Sequence, residues 1–250
     1  MRTALLVVAV LVVPRVAAAT TCPEPKGAAA ALASVDAETR LRFIRDRLAA
    51  EIGPTKAWMG AWGGGYGVLT VVQMLLTPFL NDEDRKDFYV GAASSLVGLA
   101  AVVALPPAVL TDQPALETKL ASTPDVCAQL AAAEETLARD ADDQRFGRAW
   151  FFHAGNVVFN LGVGLVIGLA FTRPGSAFGA ADNHWQSAII NAVVGAAVGE
   201  AMIFTTPWGL MGANDRYRAG SLESKKAEVQ FRVLPMAVRE GGGVMLALQF

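Results

Sequence analysis

Soft metal ligands are scarce in this chain of 250 residues, with two cysteines, Cys22 and Cys127, and two histidines, His153 and His184. Neither pair has the CxxC or closely spaced histidine pattern of a zinc or redox site, so no metal and no cofactor are expected. Charge of one sign is also lacking. The formal net charge is −2 and the basic residues are scattered, which argues against a nucleic-acid partner. Gly63-Gly64-Gly65 is followed by no Gly-Lys-Ser/Thr, so it is not a phosphate-cradling loop. No Ser or Cys nucleophile stands in a pattern with a base. Charged residues make up 18% of the chain, below the roughly 25% of a soluble domain.

Apolar residues supply what charge does not. They reach 53%, with a mean hydropathy of +0.38, and they are gathered into runs. Residues 57–80, 88–110, 149–172 and 185–207 each have the length that crosses a hydrocarbon core of about 30 Å. They pair into two hairpins, 57–110 and 149–210. The first is joined by the charged stretch 81–87 and the second by a loop with Arg173-Pro174-Gly175.

Two amphipathic segments precede the hairpins. In 20–56, Leu32, Val35, Leu41, Ile44, Leu48 and Ile52 recur every three or four residues. Asp36, Arg40, Arg45, Arg47 and Glu51 fill the other faces, and Gly53-Pro54 ends the helix. In 111–148 a polar, turn-rich stretch to Pro124 leads into a helix with Val126, Leu130, Ala133, Leu137 and Ala141 on one side. Both segments run into an Ala-Trp pair at the start of a hairpin. Aligning Gly98 with Gly195 sets Gly91, Ser95 and Val102 opposite Ala188, Ala192 and Gly199, so the chain reads as two copies of one unit.

The first nineteen residues, Arg2, an apolar run and Ala17-Ala18-Ala19, have the three parts of a cleaved signal peptide. After Gly212 come a charged linker and two stretches of alternating apolar residues around Gly241-Gly242-Gly243, which predict a β-hairpin within 211–250. The expected fold is therefore mainly α. It is a polytopic membrane protein of four transmembrane helices in two tandem hairpins, with two amphipathic helices and a C-terminal β-hairpin.

Three sets of residues stand out as candidates. His153, Asn156 and Asn160 share one face of the third span, and Glu200 in the fourth falls at their depth. Such groups are costly in lipid unless they face one another or water. Gly91, Ser95 and Gly98, and Ala188, Ala192, Gly195 and Gly199, form small-residue stripes of the kind that let helices approach closely. Cys22 and Cys127 lie on the same side of the membrane, with an even number of crossings between them, so an oxidising compartment would allow a disulfide.

The signal peptide places both termini and the middle segment in the periplasm of a bacterial inner membrane. The distribution of Lys and Arg favours the opposite orientation. The function expected is non-enzymatic: an envelope protein embedded in the bilayer, scaffolding a complex through a protein partner or self-association. A small transporter or channel subunit using the Glu200 cluster is the alternative, and a membrane-embedded enzyme comes third.

Overall fold

The computed structural model describes residues 20–170 and 184–222, and the backbone alone of 230–238 and 241–249. The expected signal peptide and the Arg173-Pro174-Gly175 turn lie outside the described residues. The chain divides into two units, Met1–Gly220 and Ser221–Phe250. In the second, the backbones of Gln230–Val238 and Gly241–Gln249 run antiparallel, Gln230 opposite Gln249.

The first unit is mainly helical: α1 (Ala37–Leu76), α2 (Asp82–Ala104), α3 (Val109–Ser122), α4 (Val126–Gly147), α5 (Trp150–Ala170), α6 (His184–Thr205) and α7 (Gly209–Arg218). Three helical stretches are long and apolar enough to cross a membrane, Asp84–Ser122, Val126–Leu169 and Trp185–Arg218. Their apolar portions are α2, α5 and α6. The second half of α1 is not among them, because Trp58, three consecutive glycines, Tyr66 and Gln73 dilute its apolar character.

Several expected boundaries shift. The helix expected to stop at Gly53-Pro54 runs on through both as part of α1. A proline inside a helix removes one hydrogen bond and costs about 3 kcal/mol. Here each side of the break is held independently, the first half by α3, α4 and α7 and the second by α2. The charged stretch 81–87 is not a loop, since α2 begins at Asp82. Asn81 Oδ1 accepts from the Asp84 N–H at 2.9 Å, and Asn81 Nδ2 donates to Asp84 Oδ2 at 2.7 Å. This side-chain cap starts the helix before the apolar run does. The polar stretch after 110 is α3 despite Pro114, with Val109, Leu116 and Leu120 buried along one side. Residues 209–218, expected to be hairpin end and linker, form α7.

The amphipathic segments and α7 pack into one helical domain. Leu32, Ile44 and Leu48, Leu116 and Leu120 of α3, Leu130 and Leu137 of α4, and Leu210 of α7 are all buried where these helices pack together. Each such side chain contributes roughly 1.5–3 kcal/mol on burial. Cys22 and Cys127 are bridged, with their Cα atoms 5.5 Å apart. Arg40 and Glu51, expected on solvent faces, are buried instead. They recur with Ile44 and Leu48 at three- and four-residue steps and so share the core face of α1. Arg40 Nε donates to Tyr217 Oη at 2.9 Å, and Nη1 and Nη2 donate to the carbonyls of Cys22 and Pro23 at 3.0 and 3.2 Å. Glu134 accepts from both Arg40 Nη2 and the Tyr217 hydroxyl. Burial alone would lower the Arg40 value, but its bonds to Tyr217 and Glu134 outweigh this and hold it above the usual arginine range. Burial, reinforced by Glu134, pushes the Tyr217 phenol up, so it stays a donor.

Helix α7 has no capping side chain of its own. Glu51 Oε1 accepts from the Gly209 N–H at 3.0 Å, and Gln144 Oε1 accepts from those of Leu210 and Met211 at 3.1 and 3.2 Å. Gln144 Nε2 closes the set by donating to Glu51 Oε1 at 2.8 Å. Three otherwise orphaned N–H groups of α7 are thus satisfied from α1 and α4. Gly209 is required by close approach, because a Cβ there would lie 2.4 Å from Glu51 Oε2.

Candidate functional site

The two hairpins are built alike. In each, the second helix carries small residues and the first lays polar or aromatic side chains on them. Tyr66 of α1 lies over Gly98, where a Cβ would come within 2.6 Å of Tyr66 Cε1, and Gln73 lies over Gly91. Ser95 Oγ donates to Gln73 Oε1 at 3.3 Å. On the other hairpin, Ala188 and Ala192 pack against Gly164, while Gly195 and Gly199 receive Asn160 and Asn156. A Cβ at either of those glycines would stand 2.0 Å from the facing amide oxygen.

That close approach assembles the polar cluster. One turn separates His153 from Asn156, another separates Asn156 from Asn160, and all three face α6. His153 Nδ1 and Glu200 Oε2 are 2.5 Å apart, and the Phe204 ring lies 5.2 Å from the imidazole. Asn156 Nδ2 donates to Glu200 Oε1 and to the Ala196 carbonyl, both at 2.9 Å. Asn160 Nδ2 donates to the carbonyl and Oδ1 of Asn156 at 2.9 and 2.8 Å. The result is a continuous chain from His153 through Glu200 and Asn156 to Asn160. Both carboxylate oxygens of Glu200 have a partner, so no lone charge is left in the apolar layer.

The chain of bonds is not sealed. His153 and Glu200 keep side-chain exposures of 29% and 27%, whereas Asn160 is buried. Chemically it can hold a proton or a small cation, or simply tie α5 to α6. No family model, curated protein or solved structure matches the chain. Its chemistry therefore rests on these side chains alone. Among the described residues no group of three His, Cys, Asp or Glu is arranged to hold a metal.

Beside the cluster, between the hairpins, a cavity of about 440 Å³ is lined by Tyr66, Gln73, Ser95, Asn156, Asn160 and Asn191 among apolar neighbours. Sequence reasoning missed it, and it missed the part played by Tyr66. That residue reads as a headgroup aromatic with Trp58 and Trp62. The tryptophans do sit at one end, Trp58 Nε1 donating to the Met202 carbonyl at 3.3 Å and Trp62 Nε1 to Thr205 Oγ1 at 2.9 Å. Tyr66, a turn further on, is only 9% exposed and faces α2. The available signal was its spacing of seven from Gln73, matched by the seven between Gly91 and Gly98.

Proposed function

We propose that the chain is a four-span protein of the bacterial inner membrane that acts as a structural or scaffold component of an envelope complex, with its helical domain in the periplasm. The observation that carries this reading is the domain itself. Three stretches of chain, separated by hairpins, converge on Arg40, Glu134 and Tyr217, and a disulfide ties the first to the second. Such a rigid body outside the bilayer suits the presentation of a surface to a protein partner or a second copy. The disulfide supports an oxidising compartment, and so the orientation that the signal peptide implies. In the membrane, the satisfied oxygens of Glu200 support a packing role for the polar cluster.

Parity supports a fourth span. Arg40 near the start of α1 and Glu134 in α4 touch, so the chain between them must cross the bilayer an even number of times. If α2 crosses, the second half of α1 must also cross. Its outer face suits this role, with Val68, Val71 and Leu75 well exposed. The matching construction of the two hairpins supports the internal repeat. The alternating tail, paired antiparallel in its backbone, suits a β-hairpin that docks on a partner, since a lone hairpin is marginal in water.

A second reading, a small transporter or channel subunit, is favoured by the partial exposure of His153 and Glu200. Glu200→Gln separates the two because it keeps shape and hydrogen bonding while removing charge. For a scaffold, the variant should insert and retain thermal stability and stoichiometric partner or self-association, and vesicles containing either form should show no pH-dependent cation flux. Flux in the parent protein that the variant abolishes would overturn the scaffold reading.

A further inference from the structure

The cavity between the hairpins is about 440 Å³, within the size range of small-molecule sites. Among the described residues no Asp, Glu, Lys, Arg or His lines it. A charged head group entering it would lose its hydration without gaining a counter-charge. The apolar wall is interrupted by neutral polar groups, and two of these are donors left unused. Tyr66, nine-tenths buried, donates its hydroxyl proton to no acceptor among the described residues. Gln73 accepts from Ser95 through Oε1, but its Nε2 group donates to none of them. Both line the cavity from α1, with Asn160 and Asn191 on the walls formed by α5 and α6. Tyr66 packs closely on Gly98, which has no side chain to offer it a partner. At membrane depth no bulk water is at hand to pair these donors, which leaves a ligand acceptor as their complement.

We propose that this cavity binds an uncharged lipid whose head carries carbonyl oxygens, which accept hydrogen bonds from Tyr66 and Gln73. Its apolar tail leaves between the hairpins toward the bilayer. The site rests on the four-span reading, which puts the second half of α1 at membrane depth, but not on a scaffold role. Two membrane sources share this chemistry, the ring carbonyls of a quinone and the ester carbonyls of a diacylglycerol.

The test uses the full chain in nanodiscs. Decylubiquinone, dioctanoylglycerol and the anionic dioctanoyl phosphatidylglycerol serve as probes, with calorimetry and native mass spectrometry as readouts. One of the neutral probes should bind saturably, and which one does assigns the source. Tyr66→Phe should weaken that binding about tenfold, the effect of one lost hydrogen bond, while leaving the melting temperature of the lipid-free protein unchanged. Gly155 also lines the cavity and has open space around its Cβ position. Gly155→Val should therefore narrow the cavity and weaken binding, and it carries the test should Tyr66→Phe fail to fold. Absence of binding by both neutral probes, equal binding to the parent and both variants, or anionic lipid bound as tightly as neutral lipid would each overturn the proposal.

Discussion

Asp140 is the residue whose environment and chemistry are most at odds. It sits in α4 with 1% exposure, and neither carboxylate oxygen receives a hydrogen bond from the described residues. Burial pushes its carboxyl up to about 8, helped by Asp112 of α3, with which the protonated form shares a hydrogen bond. Asp143 adds to the shift and Arg139, paired to Asp112 at 2.8 Å, opposes it. The folded protein holds this proton more tightly than the unfolded chain, whose ordinary value is 3.8. The stabilisation is complete below that value and is lost as pH rises through about 8. Melting temperature should fall over that interval, and Asp140→Asn should flatten the fall and melt higher than the parent at pH 9. An unchanged slope would refute the assignment. Its spacing from Leu137 and Ala133 puts Asp140 beside the apolar stripe of α4, whereas Asp142 lies on the opposite face. Arg40 likewise shares a stripe with Ile44 and Leu48; charge alone had suggested a solvent face. What stayed illegible was its partner Tyr217, which lies 177 residues away.

For single elements, the apolar runs and small-residue stripes were legible because each is a local pattern with a helical period. Caps supplied from elsewhere were not. Helix α7 reads as linker because its first N–H groups are satisfied by Glu51 and Gln144 of other helices, so no N-cap signal of its own was needed. Asn156 and Asn160 could be placed on one face, whereas their seats on Gly199 and Gly195 required the register between α5 and α6. The seats make a sharp contrast. Gly199→Ala places a Cβ 2.0 Å from Asn156 Oδ1, and should destabilise the second hairpin by about 1–3 kcal/mol through overpacking. Gly162→Ala on the same hairpin has nothing within 4 Å and should be neutral or slightly stabilising. Denaturant titration in detergent micelles distinguishes the two, and equal effects would show that the amide seats do not fix the register.

Over the whole molecule, the proposed parity gives the plainest measurement. Single cysteines placed at Ala50 and Asn81, on either side of the second half of α1, in a background where Cys22 and Cys127 are serine, should react with an impermeant maleimide from opposite sides of the membrane. Labelling from one side would remove the fourth span. Sequence alone could count apolar runs and offer the Cys22–Cys127 bridge, but it could not supply the Arg40–Tyr217 contact, which joins residues 177 positions apart. Those same contacts set an order on biogenesis. The Cys22–Cys127 bridge needs only the first hairpin and the start of α4. The Arg40–Tyr217 bond and the Glu51 cap on Gly209 need the second hairpin to have been threaded and α7 to have returned. Until then Arg40 and Glu134 lack the phenol they share, and Glu51 lacks the helix end it caps. The domain is therefore completed by the last described helix to emerge, so under the four-span proposal its closure would record that both hairpins have been inserted.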